Sequence, residues 1–206
     1  SLAFDNIGNP CIAYRGVSGQ SSDLKIACNY GSGWQIEYVQ NGAVARYISM
    51  AFDLDDNPVI AYSDDVDGDN RLDTTKLAYR ENGSWVNQVV GDPEKAAGVH
   101  VSLAIDPVTG TPMVADRANS LVRFSWFEGG EWHEQFVEDG NQINMAIVST
   151  GVPYISFSMN DPYRMMVAHP VVAGSYDNWE IQTVEYIDVG WRTSIAIKSN
   201  GLPVVS

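Results

Sequence analysis

Apolar and polar residues alternate along short stretches of this chain, and Gly, Pro, Asn and Asp interrupt the alternation at regular intervals. A period of two between such breakers is the mark of half-buried β-strands. The strands recur in a fixed order. SLAFDNIGNPCIAY (Ser1 to Tyr14) realigns with SMAFDLDDNPVIAY (Ser49 to Tyr62), SLAIDPVTGTPMVAD (Ser102 to Asp116), NMAIVSTGVPYISF (Asn144 to Phe157) and SIAIKSNGLPVVS (Ser194 to Ser206). Each complete unit continues with a third strand (LKIACNY, KLAYRE, VRFSWFE, MVAHP) and a turn into a fourth, led by Trp34, Trp85, Trp132 or Trp179. Repeats of four short strands with turn residues between them predict a β-propeller in which each repeat is one antiparallel blade. No segment keeps a 3.6-residue apolar period over three turns, which excludes a helical solenoid.

The expected fold is therefore all-β: one propeller domain over 1–206, with repeats 1–48, 49–101, 102–143, 144–193 and a partial 194–206. The favoured form is a five-bladed ring with its last blade half present; a slice of a larger ring is the alternative. The chain opens and closes inside strands, as expected of a mature or truncated piece of a longer protein. Unpaired strands at such a break would favour self-association.

Charge narrows the partners. Twelve basic residues against 26 acidic ones give a net charge of -14, a field that repels phosphate and argues against nucleic acid and anionic membranes. No apolar run is long enough for membrane insertion. An acidic, lysine-poor composition points to a secreted or cell-surface protein. Cys11 and Cys28 fall on neighbouring strands of the first repeat and could pair. Because Cys11 stands where the other repeats carry Val59, Met113 and Tyr154, two free buried cysteines are the favoured expectation.

The repeat also sorts the loops. Turns joining strands one to two and three to four leave on one face, and here they are short and uniform, so they read as structure. Connections from strand two to three and from blade to blade leave on the other face, where they vary in length and charge. Function is expected there, around the central opening, because repeats carry function where they disagree. Asp65, Asp67, Asp69, the Arg71 carbonyl and Asp73 match the front of an EF-hand-type loop, which suggests a structural Ca²⁺. Lys76 stands where the last bidentate acid belongs, and an ordinary solvated acidic loop is the competing reading.

Several basic residues reach comparable places on that face: Arg15 and Arg117 after second strands, Arg164 in the matching loop, and Arg46, His100 and Arg192 before first strands. Converging guanidiniums would bind a carboxylate or sulfate with paired hydrogen bonds; local ion pairs with the abundant acids are the alternative. Trp191, beside Arg192, could stack on a sugar ring. The once-per-blade tryptophans read as wedges between blades. Asp116, where other repeats have Tyr14, Tyr62 and Phe157, is the single catalytic candidate, and a salt bridge to Arg117 or Arg123 explains it equally.

The pattern S-L-A-x-D-x-x-G-x-P-x-I-A-Y with a later G-x-W resembles the repeats of bacterial extracellular propellers of the broad sialidase-like (Asp-box) class. The resemblance covers nearly the whole chain and implies the fold. That class includes sialidases and other glycosidases, together with lectin-like and surface-display propellers that have no activity. The Asp-box itself is not intact here: Asp5, Asp53 and Asp106 lie in a different turn from the Gly-Trp pair. No catalytic residue is carried over. Two functions follow as expectations: a non-catalytic extracellular recognition or adhesion propeller for a glycan or protein ligand, and, as the alternative, a glycoside hydrolase or lyase centred on the same opening.

Overall fold

The computed structural model describes residues 1–18, 21–65, 74–92, 97–160, 163–186 and 193–206. Among them the alternation becomes eighteen strands and no helix. Blade one holds β1 (Leu2–Phe4), β2 (Pro10–Ser18), β3 (Ser21–Asn29) and β4 (Trp34–Gln40). Blade two holds β5 (Arg46–Phe52), β6 (Pro58–Asp64), β7 (Thr74–Glu81) and β8 (Ser84–Val89). Blade three holds β9 (Val99–Ile105), β10 (Pro112–Ala118), β11 (Leu121–Glu128) and β12 (Glu131–Asp139). Blade four holds β13 (Asn141–Ile147), β14 (Pro153–Asn160), β15 (Tyr163–Val172) and β16 (Ser175–Tyr186), and a half-blade pairs β17 (Ile195–Ile197) with β18 (Pro203–Val205). Every sheet is antiparallel and keeps its strands in chain order. This is the predicted propeller architecture of four complete blades and half of a fifth.

First strands adjoin first strands, β1 to β5 to β9 to β13 to β17, so they line the axis, while β4 meets β8 and β12 meets β16 at the rim. Proline opens every second strand, where its missing N–H disturbs the ladder least. In blades one to three the turn before it is built by an aspartate. Asp5 Oδ1 accepts the N–H groups of Ile7 (3.2 Å) and Asn9 (2.7 Å), and Asp53 Oδ1 accepts those of Asp55 (3.0 Å) and Asn57 (2.7 Å). Asp106 does the same with Val108 at 2.8 Å. A short carboxylate that satisfies turn N–H groups explains why the D-x-x-x-N-P signature recurs.

Three apolar layers lie between successive blades. Cys11, Leu24 and Ile26 of blade one face Met50, Ile60 and Tyr62 of blade two; Val59 and Leu77 face Leu103 and Val114; Met113 and Phe124 face Met145, Ile155 and Phe157. Trp85, Trp132 and Trp179 pack against the edges of these layers, each on the side of the preceding blade, as wedges do. At roughly 1.5–3 kcal/mol for each large side chain removed from water, the layers supply the main drive for stacking.

Hydrogen bonds then set the blade spacing. Ser1 Oγ accepts the Met50 N–H at 3.1 Å, Ser49 Oγ the Leu103 N–H at 2.9 Å, and Ser102 Oγ the Met145 N–H at 3.0 Å. The serine that heads each S-x-A signature is thus a clamp to the next inner strand. In blade four Asn144 replaces it and donates its Nδ2 to the Thr193 carbonyl at 2.5 Å.

One expectation is corrected. Cys11 and Cys28 are joined as a disulfide rather than free. The register makes them direct partners on β2 and β3, with Cα atoms 4.1 Å apart, so both side chains leave the same face of the sheet. The equivalent cross-strand pair is Met113 with Trp126 in blade three and Tyr154 with His169, whose rings lie tilted with centroids 5.0 Å apart, in blade four. The disulfide therefore takes the place of a bulky side-chain pair.

Candidate functional site

The axial ends of the first strands are irregular in the same way in successive blades. Pairing slips between Arg46 and Ser49 in blade two, opposite Ala115–Arg117 in blade three, and between Asn141 and Asn144 in blade four. Each slip is a bulge, which leaves one residue outside the ladder and re-aims its side chain. The residues so placed are Tyr47 (φ 46°), His100 (φ 57°) and Gln142 (φ 54°), none of them glycine and all in the left-handed region. Each stands two residues before the Ser or Asn that clamps the next blade. Holding such a residue left-handed costs on the order of 1–3 kcal/mol, and such strain clusters at sites that bind or react.

These three side chains line one cavity of about 790 Å³ at the axis, on the face of variable loops, with Asn144, Thr193 and Ser194 beside them. The Tyr47 and His100 rings meet edge-on with centroids 4.9 Å apart. Thr193 Oγ1 donates to the Gln142 carbonyl at 2.6 Å and receives a hydrogen bond from Ser156 Oγ at 3.1 Å, which fixes the wall between blade four and the half-blade. The cavity presents a phenol, an imidazole, two amides and the three hydroxyls of Thr193, Ser194 and Ser206 over the apolar Ile48, Val101 and Ile143. Donors and acceptors on an apolar floor suit a ligand rich in hydroxyl groups.

Of the residues singled out in the sequence, His100 lies in this cavity. The described arginines do not line it. Arg46 sits exposed next to Tyr47, and its carbonyl accepts Ser63 Oγ. Arg15 is exposed on β2, paired in register with Leu24. Arg117 folds back on its own hairpin to Ser120 Oγ (3.1 Å), and Arg164 stacks over the Tyr186 ring at 5.2 Å. Local partners within one blade hold these two long side chains, so they do not converge. Trp191 and Arg192 lie outside the described residues, as do Asp67, Asp69, Arg71 and Asp73. Asp65 is described, and its neighbour Asp64 is engaged twice, by Lys76 Nζ and by the Val44 N–H, both at 2.8 Å. Among the described residues no group of three or more His, Cys, Asp or Glu side chains is placed to hold a metal.

Asp116 is fully buried and bound on both oxygens. Arg123 donates Nε to Oδ1 at 2.9 Å and Nη2 to Oδ2 at 2.7 Å, Thr75 Oγ1 of blade two donates to Oδ2, and the Gly98 N–H approaches at 3.4 Å. Arg123, equally buried, reaches Glu134 with Nη1 at 3.2 Å. Burial opposes the charge on Arg123, but Asp116 and Glu134 outweigh it and hold the guanidinium above its ordinary pKa. A β-carbon on Gly98 (φ 93°) would meet the Thr74 carbonyl oxygen at 2.7 Å, so only glycine fits where the backbone passes this pair. The geometry is that of an internal lock between blades two and three, sealed from any substrate.

Tyr47 and Gln142 were not visible as site residues in the sequence. One signal pointed to them: the alignment column two places before the clamp reads Tyr47, His100, Gln142, Arg192, and no two repeats agree there.

No protein-family model matches the chain, and no curated protein matches it in sequence. Solved structures do. A GH43 β-1,3-galactosidase superposes with a TM-score of 0.58 at 11% identity, over 88% of this chain and 44% of its own. A polysaccharide lyase superposes with a TM-score of 0.60 at 12% identity, over 97% of this chain and 52% of its own. A Trypanosoma rangeli sialidase in complex with the inhibitor DANA aligns at a TM-score of 0.42 and 10% identity. The chain thus spans about half the length of the first two structures, and what it shares with them is the propeller fold.

Proposed function

We propose that this chain is an extracellular recognition propeller that seats a glycan in its axial cavity without turning it over. One observation carries the reading: three blades each force a different non-glycine residue, Tyr47, His100 and Gln142, into the left-handed region at one repeat position that faces one cavity. Strain repeated at a structurally redundant place is retained for what the side chains do. The lining supports binding over hydrolysis, because its described polar side chains are phenol, imidazole, amide and hydroxyl groups, whereas glycosidases work with two carboxylates about 5–10 Å apart. The disulfide supports an oxidising, extracellular setting. A structural Ca²⁺ in the acidic loop 65–73 belongs to the same reading.

Calorimetric titration with neutral and acidic oligosaccharides, with calcium and with chelator, tests it. At least one glycan is expected to bind, and His100→Ala and Tyr47→Ala should each weaken that binding tenfold or more at an unchanged melting temperature. Absence of any binding, or variants that bind like the parent, would remove the axial cavity from the argument. Release of shortened or unsaturated product during the titration would replace recognition by hydrolysis or lysis.

A further inference from the structure

The tight-turn face, structural by its sequence, carries a groove that the repeat does not explain. It lies between blades one and two, holds about 410 Å³, and is lined by Tyr30, Glu37, Asp56, Arg80 and Asn82, with Cys28 at its back. The corresponding groove between blades two and three holds about 220 Å³ and is lined mainly by Val59, Leu77, Tyr79, Pro112, Phe127 and Trp132. Three aligned substitutions account for the contrast. Half-cystine Cys28 stands where the next groove has Tyr79, Arg80 where it has Phe127, and Glu37 where it has Gln88. The first change vacates a ring's volume, and the other two replace the walls with a guanidinium and a carboxylate.

Those walls are held in place. Arg80 Nη2 pairs with Glu37 Oε2, Nη1 donates to the Gly83 carbonyl at 2.9 Å, and the guanidinium lies 4.3 Å from the centroid of the Trp85 ring. Asp56 Oδ1 is fixed by the Asn6 N–H at 2.9 Å, which leaves Oδ2 without a bond to that amide. Tyr30 is 52% exposed at the mouth of the groove and offers a ring face. Burial, then the neighbouring Glu37 and Asp5, keep its hydroxyl protonated beyond the ordinary phenol range, so it acts as a donor.

We infer that this groove is a binding site for a neutral pyranose, distinct from the axial cavity. Glu37 and Asp56 accept sugar hydroxyls, Arg80 and Asn82 donate to ring or hydroxyl oxygens, and the sugar's apolar face rests on Tyr30. The two carboxylates repel uronic and sialic acids, which sets the site against acidic sugars.

The test uses the whole chain and a panel of methyl glycosides of glucose, galactose, mannose and fucose, with methyl galacturonate as the acidic comparison, read by calorimetry and by amide shifts. At least one neutral glycoside should bind in the millimolar range or tighter, at least tenfold tighter than the galacturonate, and should shift the Asn82 and Gly83 amides. Tyr30→Ala and Glu37→Gln should each weaken it fivefold or more with the melting temperature unchanged, and His100→Ala should leave it as it was. No neutral glycoside bound, a galacturonate bound as tightly, or affinity insensitive to both groove variants would overturn the inference. Binding abolished by His100→Ala alone would assign the sugar to the axial cavity and also overturn it.

Discussion

At the scale of single residues, burial separates the structural side chains from those open to solvent. Asp116 breaks the repeat and looked chemical on that ground, yet both of its oxygens are spent on Arg123 and Thr75 inside a sealed junction. Removing one charge from a buried pair leaves the other uncompensated, at a cost of about 3–5 kcal/mol. Asp116→Asn should therefore lower the free energy of unfolding in urea by that order, because only Glu134 would remain as an anionic partner of Arg123. A variant as stable as the parent would show that the pair does not lock blades two and three. Tyr47, His100 and Gln142 make the opposite case: their backbone is strained and their side chains line open space.

At the scale of elements, the inner strands of blades two and three combine three devices in a few residues: a bulge that presents a side chain to the axis, a serine that clamps the next blade, and an aspartate that closes the turn. Each clamp joins an uncharged hydroxyl to a backbone N–H across an otherwise apolar layer, and such a bond contributes about 1 kcal/mol. Ser49→Ala and Ser102→Ala should each lower stability by about that much. They act at different junctions, so the double variant should lose roughly the sum; a loss confined to one of them would mean that the clamps are not equivalent. The strands, their order and the Pro-led second strand were legible in the sequence because they rest on period and turn chemistry, which repeat five times. The disulfide was not, because it depends on register: a slip of one residue between β2 and β3 would place Cys11 and Cys28 on opposite faces. Nor was the axial trio, since a bulge exists only relative to a partner strand. The groove beside Arg80 depends on Cys28, Arg80 and Glu37 changing together across two blades, and no single repeat displays that.

At the scale of the whole molecule, each blade turns one sheet face toward its predecessor, and the repeat shows what that face requires. In blade two it carries Met50, Ile60 and Tyr62, with exposures of 6%, 0% and 0%, buried on blade one. The equivalent face of blade one carries Leu2, Ile12 and Tyr14, flanked by Phe4 and Ile36; Leu2 is 55%, Phe4 58% and Ile36 61% exposed. A contiguous apolar face of this kind is a contact surface wherever it meets water. At the far end of the arc β18 pairs with β17 alone among the described residues, so it presents an open edge. The two surfaces continue the blade-to-blade contact already used within the chain, so further blades of a longer protein or a second copy of the chain can cover them. For the 206 residues taken alone, we propose self-association through these surfaces, to be read as concentration-dependent sedimentation between about 1 and 100 µM, the range of free energies of about 7 kcal/mol. Ile36→Asp, at the centre of the exposed face of β4, should shift the equilibrium toward monomer without lowering the melting temperature, because its side chain contributes nothing to a layer inside the molecule. A parent chain that sediments as a monomer throughout would show that this face stays in water, whereas association that persists in Ile36→Asp would move the contact to the edge of β18.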